Sequence, residues 1–217
     1  MTQINVDYTN MIWGPYVSKM KMEKHVVDRL LEDGNELRKD NRKNNFNAAL
    51  AGNLANQYKF NDETLNYFYN EFTPYLKCYR YGHSQHFDTQ YRDIKVRNES
   101  LWINYMKSGE YNPPHIHTCD LSFVFFLDMP EQIKLEREQF KGTSSGPGDI
   151  VFVYGEYNRP TWTRNFNVHY PTAGDLIIFP AMLQHHVHPF MAKGVERVSV
   201  SGNLNYIKDE TWPNDYF

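Results

Sequence analysis

The chain has 217 residues, and its 41% hydrophobic and 16% aromatic residues are sufficient for a sizeable core, which argues against global disorder. The formal charge of −3 argues against a nucleic-acid partner for the protein as a whole, and no apolar run is long enough to cross a bilayer. Two cysteines do not make a disulfide framework, and the polar start of the chain has no signal-peptide segment, so we expect a cytoplasmic protein.

The first third of the chain carries helical patterns. Residues 16–37 place apolar side chains at helical spacing, and Gly34 is the expected end of this helix. Residues 45–60 are rich in alanine and leucine and predict a second helix. Residues 61–79 open on an asparagine and predict a third helix, which Pro74 is expected to end or kink.

From about residue 85 the pattern changes to short strands separated by Gly, Pro, Asp and Asn. Strands are predicted, in chain order, at DIKVRNESLWINYM, LSFVFFL, DIVFVYGE, AGDLIIFPA, QHHVHPF and ERVSVSGNLNYI. Roughly eight short strands in about 120 residues indicate a jelly roll of the cupin class. We therefore predict one mainly β domain over residues 1–217, with a mostly helical support at 1–84 packed on one face of a jelly-roll core at 85–217.

Five of the nine histidines lie in two short stretches, and the first stretch is the motif HIH at residues 115–117. Alternate side chains of a strand share a face, so His115 and His117 are expected to point the same way. Two imidazoles in this arrangement can occupy adjacent positions around one metal ion. Taken alone, such a short motif is more often a pair of polar residues in a solvated turn.

The second stretch, QHHVHP, contains three further histidines. In a strand, His185 shares a face with Leu183 and Val187, and these apolar neighbours indicate that this face is buried. A buried imidazole needs a partner, either a metal ion or a hydrogen-bonding group. His186 and His188 lie on the opposite face and are expected to meet solvent or a cleft.

The last predicted strand places Arg197, Ser199 and Ser201 on one face. A guanidinium with hydroxyl donors beside it suits the binding of a carboxylate. The alternative is an ordinary ion pair of Arg197 with Glu196 or Asp175. A metal-binding HIH motif, a distal inward histidine and then an arginine follow the order of a non-haem iron site beside an anchor for an acidic co-substrate.

The stretches that carry these features, together spanning about residues 95 to 207, resemble the 2-oxoglutarate/Fe(II) oxygenases of bacterial and phage genomes, which are similar to prolyl hydroxylases. The resemblance implies a double-stranded β-helix with Fe(II) near its open end. In that superfamily an HxD or HxE motif, a distal histidine and an arginine or lysine form the site.

The resemblance implies a role for each candidate residue. His115 and His185 match the two histidine ligands of the metal, and His117 stands where the carboxylate ligand is usual. Asp120 is the alternative third ligand, although it would need a bulge or turn to reach the metal. Arg197 matches the residue that pairs with the far carboxylate of 2-oxoglutarate, with Ser199 beside it, and no catalytic residue is implied beyond the metal ligands.

A second departure from the family pattern is the pair Phe125 and Phe126, where prolyl-hydroxylase-like relatives often carry tyrosines. The loss of that hydroxyl removes a donor that can reach the far carboxylate of the co-substrate. Another residue must then replace it, and Tyr105 and Asn104 on the preceding strand are the candidates.

The implied activity is that of a dioxygenase that uses Fe(II), 2-oxoglutarate and dioxygen to hydroxylate a C–H bond. The sequence leaves the substrate open among peptidyl proline, a free amino acid, a nucleobase and a small metabolite, and it indicates no oligomeric state. Turn-rich connections at 142–149 and 155–165 are expected to gate the substrate. Two alternatives remain: a three-histidine cupin-type metalloenzyme without 2-oxoglutarate, and a catalytically silent jelly-roll binding module.

Overall fold

The computed structural model describes residues 14–40, 45–93, 95–155 and 165–207, so most of the second expected gating loop lies outside the described residues. The helices are α1 (Lys24–Lys39), α2 (Asp62–His86) and α3 (Glu131–Glu138). The strands are β1 (Ser18–Lys21), β2 (Gln57–Lys59), β3 (Val96–Met106), β4 (Asn112–His115), β5 (Leu121–Asp128), β6 (Ile150–Val153), β7 (Phe166–His169), β8 (Asp175–Pro180), β9 (Gln184–Val187) and β10 (Arg197–Tyr206). In these ranges no helix combines the length and the apolar character that crossing a membrane requires.

The strands form two antiparallel sheets, as expected for a jelly roll. The larger sheet has the order β1-β8-β5-β10-β3-β2, and the smaller has the order β4-β9-β6-β7. One apolar cluster joins residues of the two sheets, and a second joins the other face of the larger sheet to α1 and α2. The mainly β class and the packing of helices on one face are therefore confirmed.

The packing of strand β5 explains why its residues 123–127 are all apolar. Phe123 and Phe125 belong to the cluster that packs against the helices, whereas Val124 and Phe126 belong to the cluster between the sheets. Because successive side chains of a strand point to opposite faces, a strand covered on both sides buries every residue. This strand therefore separates the helical layer from the interior that holds the candidate site.

The N-terminal part differs from the predicted helical support because it also supplies strands β1 and β2 to the larger sheet. Helix α1 continues through Gly34. An added Cβ at this position would collide with the Ile103 side chain of the sheet below. Gly34 thus serves close packing and does not end the helix. Pro74 likewise lies inside α2, between the buried residues Phe72 and Leu76, and the helix continues to its end at residue 86.

The helix predicted at residues 45–60 is wrong. This segment contains only a short 3-10 turn, Asn47–Ala49, before it enters β2. The Asn47 side chain accepts a hydrogen bond from the Gln57 N–H at 3.1 Å and donates one to the Ala55 carbonyl at 2.8 Å. Such side-chain bonds to the backbone compete with helical hydrogen bonds, and here they fold the segment back onto the sheet.

Gly202 in β10 allows the helical layer to pack closely on the larger sheet. An added Cβ would collide with the Phe123 ring and lie 2.9 Å from the Ser100 carbonyl oxygen. That ring cannot move freely, because its centroid is 4.7 Å from the centroid of Phe72. We expect Gly202→Ala to lower the free energy of unfolding by about 1–3 kcal/mol in urea denaturation. Ser201→Ala, on the opposite face of β10, should cost less, and an equal loss in both variants would contradict this explanation.

Candidate metal centre

Three histidines converge at the edge of the smaller sheet. His115 at the end of β4 lies directly opposite His185 of β9 in the antiparallel register. His117 lies in the turn after β4, and its backbone N–H donates to the Ala181 carbonyl at 2.9 Å. One ring nitrogen from each of the three residues lies within 4.8 Å of the others. The structure therefore brings together the three side chains that the sequence predicted as metal ligands.

Backbone carbonyls fix the orientation of two of these rings. Nδ1 of His115 lies 2.7 Å from the Pro113 carbonyl oxygen, and Nδ1 of His185 lies 2.9 Å from the Leu183 carbonyl oxygen. Because a carbonyl oxygen only accepts, each Nδ1 carries the proton, and Nε2 of each ring keeps a free lone pair. Imidazoles oriented in this way are typical of metal ligands.

The surroundings keep two rings of the cluster uncharged. Burial lowers the pKa of His117 to about 4, and electrostatic repulsion between its protonated form and the His115 ring acts in the same direction. The same causes lower the pKa of His185 to about 3. Both rings are therefore neutral near pH 7, the form in which imidazole binds a metal ion. Three imidazole nitrogen donors within reach of one ion suit a divalent transition metal such as Fe(II), so the residues present fit this group.

The structure uses Asp120 elsewhere. Its Oδ2 accepts a hydrogen bond from the Tyr206 N–H at 2.7 Å, and its own N–H donates to the Leu204 carbonyl at 3.1 Å. These bonds tie Asp120 to the end of β10, and its carboxylate does not belong to the cluster of possible metal ligands. Of the two candidates for the third ligand, His117 is the one that lies with His115 and His185.

A cavity between the two sheets joins the three histidines to Arg197. It is lined by the histidine cluster together with Gln57, Trp102, Asn104, Val124, Phe126, Arg197, Ser199, Ser201 and Asn203, among others. The polar face predicted for β10 therefore faces the cavity. A larger surface groove of about 870 Å³, lined in part by Arg38 and Glu196, does not include the histidines.

Arg197 is a buried cation without an acidic partner among the residues that the structure describes. It is 2% exposed, its Nη1 donates to the Gly148 carbonyl at 3.2 Å, and its Nε finds no partner in the described ranges. The alternative ion pairs are wrong, because Glu196 binds Arg38 at 2.8 Å and Asp175 binds a lysine at 2.9 Å.

Burial lowers the pKa of Arg197 to about 10, so the side chain remains charged near neutral pH. A buried charge without a counter-ion is costly, and the carboxylate of a ligand in the adjoining cavity would compensate it. The residues present therefore fit an acidic co-substrate.

The register of the sheet decides between the two candidates for the missing tyrosine hydroxyl. Tyr105 faces the helical layer, where its hydroxyl lies 3.2 Å from Asn35 Oδ1, so this candidate is wrong. Asn104 lies on the cavity face, directly opposite Ser199. Phe126 also lines the cavity, and its ring centroid is 5.4 Å from Cζ of Arg197.

Gln57 is a cavity residue that the sequence did not reveal. It is 2% exposed and pairs with Asn104 through the register of β2 and β3. The incorrect helix at residues 45–60 concealed it, although the many asparagines of that segment favour loops over helix.

The remaining two histidines of the second stretch do not join the cluster. His186 and His188 are half-buried, and Nε2 of His188 lies 2.6 Å from Ser145 Oγ. Their rings contact each other at a centroid distance of 5.1 Å. This agrees with their predicted position on the strand face opposite His185.

Residues 100–203 match the model of the family described as "Putative 2OG-Fe(II) oxygenase". Over this stretch, slightly less than half of its length, the chain is similar to the 2OG-Fe(II) oxygenases. The matched residues include the three clustered histidines, Arg197 and Ser199. The enzyme class and the use of Fe(II) and 2-oxoglutarate are therefore confirmed. Comparison with curated protein sequences gives no match.

Solved structures of 2-oxoglutarate-dependent enzymes share the fold of this 2OG-Fe(II) oxygenase. A prolyl-4-hydroxylase from Pseudomonas putida is 13% identical with a TM-score of 0.54, and the match covers 88% of this chain and 93% of that chain. The viral collagen prolyl hydroxylase of Paramecium Bursaria Chlorella virus-1, solved as a 2-oxoglutarate complex, is 16% identical with a TM-score of 0.52, over 88% and 96%. The epimerase SnoN of nogalamycin biosynthesis is 13% identical with a TM-score of 0.56, over 87% and 78%. At these identities the likeness confirms the double-stranded β-helix and does not specify a substrate.

Proposed function

We propose that this oxygenase hydroxylates a C–H bond, with His115, His117 and His185 as its iron ligands and with Arg197 and Ser199 as the anchor for 2-oxoglutarate. The observation that carries the proposal is a single cavity that contains both a cluster of three imidazoles and a buried guanidinium that has no acidic partner among the described residues. The first feature suits a transition metal ion, and the second suits the far carboxylate of a dicarboxylic acid.

Bound Fe(II) would supply the redox chemistry in which dioxygen oxidises 2-oxoglutarate to succinate and carbon dioxide. One oxygen atom enters succinate, and the other is transferred to the substrate C–H bond. The protein contributes a ligand set without a carboxylate, because His117 stands at the position where the family usually has an acid. Three neutral ligands leave the full charge of the divalent ion uncompensated. This charge favours binding of the dianionic co-substrate next to it.

Arg197 and Ser199 would orient the co-substrate from its other end. The guanidinium can donate two parallel hydrogen bonds to a carboxylate, and the Ser199 hydroxyl lies two residues further along the same strand face. Phe126 and Val124 add apolar walls to the cavity. A low-polarity wall strengthens the attraction between the guanidinium and the carboxylate.

Peptidyl proline is the first substrate to test. Two of the structures with the same fold are prolyl hydroxylases by name, which supports this choice. The epimerase with the same fold shows that the scaffold also serves other reactions. Proline-containing peptides should therefore be compared with free amino acids, nucleosides and small metabolites, with succinate release as the common measurement.

Anaerobic protein that receives Fe(II) and 2-oxoglutarate is expected to show a weak visible charge-transfer band, because the keto acid would chelate the metal. Absorption spectroscopy of the folded protein measures this band directly. Succinate, which lacks the keto group, provides the matched control and should give no band. A folded protein that binds Fe(II) but shows no band with 2-oxoglutarate would refute the proposal and favour a cupin-type metalloenzyme.

A further inference from the structure

Four side chains form one row across the larger sheet on the face that lines the cavity. Gln57 of β2 lies opposite Asn104 of β3, Asn104 lies opposite Ser199 of β10, and Ser199 lies opposite Phe126 of β5. All four residues line the cavity, and Arg197 lies on the same face of β10 two residues from Ser199. Directly opposed residues are neighbours on a sheet, so this row forms a continuous strip next to the guanidinium.

The two ends of the row differ in polarity. Phe126 occupies one end and offers an aromatic ring but no hydrogen-bond donor to a ligand. Asn104 and Gln57 occupy the other end, where they are 4% and 2% exposed. Buried amides are costly unless their groups are bonded, so the hydrogen bonds at this end of the row determine which donor remains available to a ligand.

Gln57 fixes the direction in which the Asn104 amide points. Gln57 Nε2 donates to Asn104 Oδ1 at 2.8 Å, which turns the Asn104 NH₂ group towards β10. There Nδ2 lies 3.3 Å from Ser201 Oγ, 3.4 Å from the Ser199 carbonyl oxygen and 3.5 Å from Ser199 Oγ. These are long hydrogen bonds, so the NH₂ group retains donor capacity for a stronger acceptor.

The reverse orientation of the two amides is less favourable. It would place the Asn104 oxygen against the Ser199 carbonyl oxygen, and two acceptors would then face each other. Gln57 is also held by its backbone, because its N–H donates to Asn47 Oδ1 at 3.1 Å. The folded segment at residues 45–60 therefore keeps Gln57 in position beside Asn104.

We propose that Asn104 donates a hydrogen bond to the far carboxylate of 2-oxoglutarate, and that Gln57 is the positioning residue that keeps this amide turned towards the ligand. The inference rests on the proposed function, in which Arg197 binds the same carboxylate. The pair supplies the donor that is lost where Phe126 stands in place of a tyrosine. This donor would come from β3, which lies on the other side of Ser199 from β5.

Titration of anaerobic, Fe(II)-loaded protein with 2-oxoglutarate tests the role of Asn104, with the charge-transfer band as the measure of binding. Asn104→Asp keeps the shape of the side chain but replaces the donor with an acceptor, so we expect about 10- to 100-fold weaker binding. Asn98→Asp is the matched control, because Asn98 lies on the same strand but not in the lining of the cavity, and its affinity should be unchanged. Binding of 2-oxobutyrate, a keto acid without the far carboxylate, should change much less in Asn104→Asp.

Two substitutions of Gln57 separate positioning from packing. Gln57→Leu removes the bond to Asn104 and is expected to weaken 2-oxoglutarate binding by about 3- to 10-fold. Gln57→Glu has nearly the same shape as glutamine, but its carboxylate only accepts and would turn the Asn104 NH₂ group away from the ligand. We therefore expect the glutamate variant to bind 2-oxoglutarate more weakly than the leucine variant. A role in packing alone predicts the opposite order.

The outcomes distinguish this inference from the proposed function. If wild-type protein binds Fe(II) but gives no band with 2-oxoglutarate, both fail. If wild-type protein gives the band, Arg197→Leu loses it, and the variants of Asn104 and Gln57 bind 2-oxoglutarate as wild type does, only the role of the amide pair is overturned. Thermal melting without 2-oxoglutarate verifies that each variant is folded.

Discussion

Replacement of His185 with alanine is expected to lower the affinity for Fe(II) by more than about 100-fold, since loss of a group that merely orients a ligand already costs about 10- to 100-fold. The His185 ring contacts both other rings of the cluster, with its centroid 4.2 Å from that of His115 and 5.2 Å from that of His117. Its Nδ1 is bonded to a backbone carbonyl, so Nε2 is the ring nitrogen that remains available to a metal ion. Equilibrium dialysis against Fe(II) under argon, followed by iron analysis, measures the loss, and succinate release under air should disappear with it.

His186→Ala provides a matched control for this substitution. His186 is the next residue of β9, but its side chain lies on the opposite face and does not belong to the cluster. We expect this variant to bind Fe(II) as wild type does. Equal iron contents in the His185 and His186 variants would refute the assignment of the metal ligands.

Local periodicity was sufficient to predict most of the fold. The pattern of short strands after residue 85 predicts the jelly roll. A strand that is covered on both sides is apolar on both faces, whereas a strand that is covered on one side alternates apolar and polar residues. The error at residues 45–60 has a non-local cause. Alanine and leucine favour helix locally, but Asn47 bonds to residues up to ten positions away and β2 pairs with a strand more than 40 positions away. Tertiary pairing of this kind overrides propensity, and a single sequence does not reveal it.

Much of the candidate site can also be predicted from the sequence. The alternation of apolar and polar residues placed His185 inward and set Arg197 and Ser199 on one face. The sequence predicts that His117 lies beside His115, and the two rings are neighbours, although strand β4 ends at His115 and a turn bonded to Ala181 orients His117. Alternation places Asn104 and Tyr105 on opposite faces but does not tell which face meets the cavity. That choice depends on the register with β10, which joins residues far apart in the chain.

Arg197→Leu is expected to change stability and co-substrate binding in opposite directions. Burial lowers the pKa of Arg197 to about 10, below its ordinary value of 12.5, which means that the folded state disfavours the charged form. At every pH below about 10 the side chain carries this charge, and folding must bury it without an acidic partner among the described residues. An apolar side chain of similar volume should therefore leave the free energy of unfolding unchanged or raise it.

The same substitution removes the anchor for the far carboxylate. We expect the affinity for 2-oxoglutarate to fall by more than about 100-fold, because the ligand carboxylate would then be buried without its counter-ion. Urea denaturation in the absence of 2-oxoglutarate measures the stability, and titration of the charge-transfer band measures binding.

Arg38→Leu is the matched control for Arg197→Leu because Arg38 does have an acidic partner. Its guanidinium binds both carboxylate oxygens of Glu196, at 2.8 and 2.9 Å, and lies over the Tyr105 ring outside the cavity. Loss of this paired arginine should lower stability and leave 2-oxoglutarate binding unchanged, the reverse of the result expected for Arg197. If Arg197→Leu instead lost stability and kept its affinity for 2-oxoglutarate, the guanidinium would be a structural group. The three histidines would then serve a metalloenzyme whose co-substrate is held in another way.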